Sequence, residues 1–433
     1  MTADTLPAAL TGACAQVRAA GPEDAVAGVV PRYVARPADL AEASAVLRAA
    51  AAEGLAVLPR GAGTRLAWGR PPARCDLVVD IRGMNRVLEH AAGDQVVRVQ
   101  AGLGLDRLAA VLGQAGQRLA LDPPSPGPAG TVGGLLATGA AGPLRLRYGT
   151  PRDLAIGITV VRADGTVASS GGKVVKNVAG YDLGKLFAGS YGTLGLIAEA
   201  AFRLHPLPAA VSYLTLDCPD GAAAGAAIAA AADSPLAPSA AEIDRPARGA
   251  PVRVGVLLEG DPDGVAERTG RMAGLLGGPA AAASPTPPPW WGRGAAAAAD
   301  GTVLRIAFWA AELIPVLAAI DAAAAGTGLD PVVSGSAAAG VLYAAVDPGA
   351  APAAVAEFVR AVRAALAAAD AGPAGLAEGP PSRASVVVLH APADVRAVID
   401  VWGPVPALNL MRAVKDQFDP EHRMAPGRFA GGI

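Results

Sequence analysis

Leu58-Pro59-Arg60-Gly61-Ala62-Gly63-Thr64 closes a short apolar run and turns through two glycines one small residue apart. Residues 55–58 have strand character, and 59–64 read as the loop at the strand's end. The third glycine of the dinucleotide fingerprint G-x-G-x-x-G is missing, because Gly63 is followed by Thr64, Arg65 and Leu66. No Gly-Lys-Ser/Thr closes the loop, so it is not a Walker A motif. What it offers is a strand end whose successive amides converge on one concavity, the kind of nest a pyrophosphate needs. A plain glycine turn is the competing reading.

Two further segments downstream have the same texture. Asp122-Pro123-Pro124-Ser125-Pro126-Gly127 leads into Gly130-Thr131-Val132-Gly133-Gly134, then Gly139 and Gly142. Ordering so many glycines costs backbone entropy and buries little apolar area, so something must hold the path in place. A phosphate or a flat heterocycle against bare main chain would do so; the alternative is an exposed loop, which the stiffening prolines oppose in part. The third segment, Gly171 to Ile197, carries Lys176, Tyr181 and the polar turn Ser190-Tyr191-Gly192-Thr193 directly before an apolar run. Polar groups packed between apolar elements are site-like, with a structural turn as the plain alternative.

Around these segments the chain alternates short β-branched runs and helical patterns. Strands are expected at 29–34, 55–58, 77–81, 96–100, 155–161 and 167–168, and helices at 11–20, 38–52 and 105–113, with 122–149 as a long glycine-rich stretch. Asp164-Gly165 between two apolar runs predicts a hairpin. Past Pro208, strands at 211–216, 252–258, 303–308, 341–346 and 385–389 alternate with helices at 222–232, 265–276, 312–325 and 351–369, which predicts a sheet covered by helices on one face. Loops are expected at 285–294 and 370–383, and a last helix at 405–418. The fold class is α+β.

Composition limits the functions available. The 433 residues include 54 glycines and 38 prolines, 52% are hydrophobic, much of that alanine, and 17% are charged. With 36 basic against 38 acidic residues and no basic track, nucleic acid is not an expected partner. Cys14, Cys75 and Cys218 are dispersed, cannot hold an iron-sulfur cluster, and read as reduced cytosolic thiols. His90, His205, His390 and His422 are equally scattered, so no metal site is expected. The first 13 residues do not read as a signal peptide. Although mean hydropathy is +0.37, the apolar tracts are alanine-based, short or charge-interrupted, so no transmembrane segment is expected. The expected location is the cytoplasm, with docking at the inner face of the membrane open to a complex.

Together, PRGAGT (59–64), PSPGPAGTVGG (124–134) and VVKNVAGYDLGKLFAGSYGTLGLI (174–197) resemble the FAD-binding domain of the vanillyl-alcohol oxidase and p-cresol methylhydroxylase superfamily. Within it they are most similar to the E-type subunits of bacterial glycolate oxidase. The resemblance is strong over 29–208 and looser to the C-terminus. There Lys415-Asp416-Gln417-Phe418-Asp419-Pro420 and Ala425-Pro426-Gly427-Arg428 resemble the family's closing K-x-x-F-D-P … N-P-G-R, with Ala425 where asparagine is usual.

The resemblance implies a lead-in at 1–28, a two-lobed FAD domain at 29–208, a cap at 209–404, and a C-terminal helix and tail at 405–433 returning to the FAD domain. The flavin ring would lie between FAD domain and cap. By position, Pro59, Arg60, Gly61, Ala62, Gly63 and Thr64 would hold the pyrophosphate. Pro124, Ser125, Gly130, Thr131 and Gly134, with Thr138 nearby, would line the flavin and ribityl region, and Gly192, Gly195 and Ile197 would sit at the adenine or flavin edge. Family members with covalent flavin often carry a histidine just after the first loop; here it continues Thr64-Arg65-Leu66-Ala67-Trp68, so non-covalent FAD is expected. The His-x-Gly-Asp-Gly-Asn-x-His stretch of the catalytic D-type relatives is absent between His205 and His390.

Oxidation of an α-hydroxy acid would need a base for the hydroxyl proton and a cation for the carboxylate. His390 and His422 are candidate bases and Arg383 and Arg428 candidate clamps, each with a plain structural role as the alternative. Trp290 and Trp291 are a partner anchor or an internal lid. Three functions stay open: a flavoenzyme subunit oxidising glycolate or a related 2-hydroxy acid, an FAD-holding structural subunit, and a stand-alone FAD-dependent dehydrogenase. For the first two, the resemblance implies a catalytic D-type flavoprotein subunit and an iron-sulfur subunit as partners.

Overall fold

A computed structural model describes residues 6–124, 130–172, 182–294, 300–370 and 384–433. Three main sheets organise it. The first has the spatial order Val17–Ala19, Tyr33–Ala35, Leu77–Asp80, Val57–Arg60, and its last three strands run parallel. Parallel strands need a crossover, and Leu40–Ala52 is the helix between Tyr33–Ala35 and Val57–Arg60. Asp39 caps that helix by accepting from the Glu42 amide at 2.9 Å. Ala43, Val46, Leu47 and Ala50 form its buried stripe.

The second sheet is antiparallel, in the order Val87–Ala91, Val96–Gln100, Leu196–Arg203, Ala155–Val161, Val167–Gly171. The Asp164-Gly165 hairpin is present, with Gly165 at φ +82° and the Arg162 amide donating to the Thr166 carbonyl at 2.9 Å. The stretch 122–149 differs from expectation: it contains the helix Val132–Thr138, which packs on Leu196–Arg203 and Val96–Gln100 through Val132, Leu135 and Leu136. Thr131 makes this possible, since its hydroxyl accepts from the Gly134 amide at 3.3 Å and starts a helix in glycine-rich chain.

The third sheet is antiparallel and eight-stranded, in the order Ala282–Ser284, Ala210–Cys218, Val252–Gly260, Ala240–Arg245, Val332–Gly335, Val341–Val346, Thr302–Phe308, Ala384–His390. Helices Gly221–Ala232, Pro262–Leu276, Leu313–Thr327 and Pro352–Asp370 pack with one of its faces into the largest core. Its other face meets the first half of the chain, where Leu144 packs with Ala240 and Leu257, and Tyr148, Tyr213 and Trp291 pack against that cluster.

Several elements depart from the sequence expectation. The N-terminal helix is Ala8–Ala13, and Val17–Ala19, expected to be helical, is an edge strand. The strand expected at 29–34 begins at Tyr33, because Val26 and Val29 pair with each other in a tight turn. By length and composition alone Ala310–Thr327 is apolar enough to cross a membrane. In this fold its Leu313, Val316, Leu317, Ile320 and Ala324 side chains pack into the core.

Candidate functional site

The first and second sheets, with the helix Val132–Thr138, border an open cleft. Its lining includes Pro59, Gly61, Ala62, Gly63 and Thr64 from the strand end, Thr131, Gly134 and Thr138 from the helix, and Gly192 from the turn before Leu196–Arg203. An adjoining cleft adds Arg60, Gly195 and Ile197. Segments more than 100 residues apart therefore converge on one space. Pro124 and Gly130 border it: the Pro124 carbonyl accepts from Arg65 Nη2 at 3.0 Å, and a Cβ on Gly130 would lie 3.1 Å from Arg65 Nη1. Ser125, Lys176, Tyr181 and Arg383 lie outside the described residues.

Glycines open part of the cleft lining to main chain. A Cβ on Gly61 would run into the Thr131 hydroxyl. Gly63 at φ +80° and Gly192 at φ +77° adopt a backbone that L side chains rarely tolerate. The amides of Ala62, Gly63 and Thr64 find no acceptor among the described residues. Three successive free amides in a glycine turn are an anion-binding concavity. The Arg60 guanidinium does not share in it: Nη1 donates to Asp24 at 3.0 Å and Nη2 to Asp80 at 3.4 Å, so only its backbone faces the space. The helix Val132–Thr138 likewise spends its first amides internally, on Leu103, Ala101 and Thr131. Gly133 serves packing instead, since its Cβ would press on Ala101 and Ile81 at 2.9 Å.

The C-terminal tail locks this site. Lys415 Nζ is fully buried and donates to Asp419 Oδ2 at 2.6 Å, the Thr193 carbonyl at 2.7 Å and the Met424 carbonyl at 2.9 Å. It thereby ties the tail to the turn carrying Gly192. Phe418 stacks edge-on against Phe187 at 5.4 Å. The Val57 and Ala425 amides donate to the Arg423 and Val57 carbonyls, laying the tail along the strand that ends in the glycine turn. Arg428 Nη2 donates to the Leu66 and Trp68 carbonyls at 3.0 and 2.8 Å while its side chain lines the cleft. Burial lowers its pKa to about 10.

The histidines lie elsewhere. His390 Nδ1 bonds the Gly301 carbonyl at 2.8 Å, and His422 pairs with Asp416 on the exposed tail. His205 stacks on Tyr148, and His90 bonds Gln117. None of the four lines either cleft. Trp290 and Trp291 pack internally over Gly255, and Trp291 also stacks on Tyr213 at 5.1 Å.

Apart from Tyr191, which lies in the polar turn already read as site-like, sequence reading missed the polar groups between the two halves of the chain. Tyr191, held by Trp402 and Phe429, and Arg65, stacked over Trp68, line the cleft. Across from them the eight-stranded sheet presents Glu242, Tyr343 and Arg305. Burial pushes Glu242 up to about 8, against a hydrogen bond from Ser336, and pushes Asp122 to about 7. Arg118 makes a two-pronged pair with Glu259 at 2.8 and 2.9 Å, and Tyr148 donates to the same carboxylate at 3.1 Å, joining the halves. The signal was an isolated polar residue between apolar ones, as in Leu304-Arg305-Ile306.

Residues 31–171 match the family described as FAD binding domain. The chain is 37% identical over 182 residues to glycolate oxidase subunit GlcD of Bacillus subtilis, an alignment covering 41% of this chain and 38% of that one. It is 36% identical over 151 residues to glycolate oxidase subunit GlcE of Escherichia coli, covering 35% of this chain and 43% of that one. Similarity to D-lactate dehydrogenase of Archaeoglobus fulgidus is 36% over 187 residues, 43% of this chain and 41% of that enzyme. The chain thus spans about two-fifths of the length of the curated relatives it matches. In overall fold it matches an alkyldihydroxyacetonephosphate synthase (TM-score 0.67, 19% identity, 92% of this chain and 78% of that one). It also matches a chitooligosaccharide oxidase (TM-score 0.66, 17% identity, 96% and 97%). The FAD-binding domain's cofactor fits the cleft in kind: free amides for a pyrophosphate, and a wall of glycines and small residues for a flat ring.

Proposed function

We propose that this chain is an FAD-dependent oxidoreductase subunit acting in a glycolate oxidase-like complex on a small 2-hydroxy acid. The observation that carries the reading is the convergence of three glycine-rich segments on one cleft with the Ala62, Gly63 and Thr64 amides unspent. In that reading these amides bind the pyrophosphate, Gly61, Thr131, Gly134 and Thr138 shape the wall beside the flavin and ribityl, and Gly192, Gly195 and Ile197 flank the other edge. Bound FAD would supply the acceptor for the hydride of an alcohol carbon. The chain's own part is to position that carbon, exclude water beneath the eight-stranded sheet, and accept the hydroxyl proton. The absence of histidine and cysteine from the cleft lining supports non-covalent attachment. Likeness to both GlcD and GlcE supports a multi-subunit complex; the D-type flavoprotein and iron-sulfur partners in this reading come from the family resemblance alone.

One observation favours a second reading, an FAD-holding subunit that leaves chemistry to its partner: no histidine reaches either cleft to act as base. The test separates the two. The purified chain, with flavin retained through gel filtration, is mixed anaerobically with glycolate and with D-lactate. Bleaching of the flavin band by the chain alone supports the catalytic reading. Bleaching only with a D-type partner present supports the holding role. A folded chain that retains no flavin ends both.

A further inference from the structure

The eight-stranded sheet turns a row of polar side chains toward the FAD-binding domain. Direct cross-strand partners run Arg253, Asp244, Ser334, Tyr343, Arg305, so all five project from one face. Leu304 and Ile306, flanking Arg305, are buried on the opposite face against the helices. Within the row Arg253 is paired with Asp244. Arg305 has no ion pair or hydrogen bond with any described residue.

Arg145 meets this row from the other side. Its helix, Arg145–Tyr148, packs on the strand Ala240–Arg245 and the turn Ala337–Ala339. Its guanidinium also lacks an ion pair or hydrogen bond among the described residues. Arg305 is the direct cross-strand partner of Tyr343, and Arg145 bears electrostatically on both, so the three groups lie near one another where the short helix meets the sheet. Tyr343 adjoins the cleft: a Cβ on Gly294 would lie 3.1 Å from its ring and 3.2 Å from Pro124, whose carbonyl holds the cleft-lining Arg65. The carboxyls that bear on Arg145 are Glu242 and Asp122, and burial raises both, Glu242 to about 8 and Asp122 to about 7. Burial disfavours the charged form of both carboxyls, which weakens their compensation of the guanidinium pair. Two like charges held together in a protein interior call for an anion between them.

We propose that Arg145 and Arg305, with the Tyr343 hydroxyl, form the site for the carboxylate of a small anionic substrate. Two guanidinium forks and one hydroxyl match the lone pairs of a planar carboxylate, which an ammonium point charge would not do. The inference rests on the proposed function in setting the substrate between the FAD-binding domain and the eight-stranded sheet.

The test uses the full chain and oxalate, a carboxylate the protein does not turn over, followed by calorimetric titration with and without FAD. Arg305→Met and Arg145→Met are each expected to weaken oxalate about 10- to 100-fold, the loss of one charge-assisted hydrogen-bonding group. The double variant should bind none, while all variants keep the wild-type flavin-to-protein ratio. Unchanged oxalate affinity in the double variant overturns the proposal, and so does a wild-type protein that binds no oxalate. If the methionine variants do not fold, Arg305→Lys and Arg145→Lys keep the charge but lose the fork; about 10-fold weaker binding supports the proposal, and unchanged binding overturns it. Because the titration is also run without FAD, a chain that fails to retain flavin sinks the proposed function without deciding this one.

Discussion

The cleft of the FAD-binding domain and the facing row on the eight-stranded sheet are built from opposite materials. The cleft is made of missing side chains: Gly61, Gly63, Gly134 and Gly192 expose main chain, and the surrounding polar side chains, Arg60 and Lys415 among them, are spent on holding that backbone in place. The facing row is made of side chains, with Tyr343 and Arg305 each flanked along its own strand by buried apolar residues. A surface that binds through backbone must be rigid before the ligand arrives. A surface that binds through long side chains can be specified one residue at a time. The first suits a cofactor common to many relatives, and the second suits a substrate that varies.

That contrast can be broken most forcefully at Gly61. Gly61→Val would drive a side chain into Thr131, displacing both the glycine turn and the helix cap. We expect flavin retention after gel filtration to be abolished while Arg305→Met leaves it intact; equal retention in both would erase the distinction. Next in size is Lys415→Met, which leaves Asp419 buried without its cation. Breaking a buried pair from one side costs about 3–5 kcal/mol, measurable as a lowered urea midpoint, and loosening of the Thr193 turn should weaken FAD as well.

The third prediction concerns the facing row and its pH dependence. Glu242 and Asp122 have folded pKa values raised by burial, to about 8 and about 7. Between their unfolded values and these, the folded chain binds more protons than the unfolded chain, so stability falls as pH rises from about 5 to 8, by at most about 1.4 kcal/mol per pH unit for each group. Glu242→Gln should flatten that slope in urea titrations at a series of pH values. Glu259 runs the other way. Burial opposes its charge, but the Arg118 fork outweighs burial and holds the carboxyl below its usual range, so its contribution is lost only as pH falls through that lowered value. The smallest expected effect is Thr131→Ala, the loss of one helix cap, about 1 kcal/mol by thermal melting. Its effect on flavin retention should be well short of that of Gly61→Val.

The same contrast explains what was legible in the sequence. Glycine and proline act locally, so PRGAGT and the segment ending in Gly133-Gly134 announced a backbone site in contiguous letters. The helix inside the second segment was hidden, because propensity argues against Val132-Gly133-Gly134 and only the Thr131 cap and packing on two strands overrule it. Helices such as Leu40–Ala52 and Leu105–Gly113 declared themselves through spacing. The strands Ala240–Arg245 and Val332–Gly335 did not, being short and rich in alanine, acid or serine. Without them, Tyr343 and Arg305 had no neighbours, and the search for function turned to histidines that the fold places elsewhere. Lys415 and Asp419 were visible as a motif, but their role needed the third dimension: they join the tail to a turn 222 residues earlier.

Hydrogen–deuterium exchange on flavin-stripped protein, with and without a saturating titration of FAD, tests the central claim most directly. Our account predicts uptake of about one FAD per chain, with strong protection in the peptide spanning Leu58 to Leu66, where the Ala62, Gly63 and Thr64 amides are free. No saturable uptake, or protection that leaves this peptide unchanged, would contradict it.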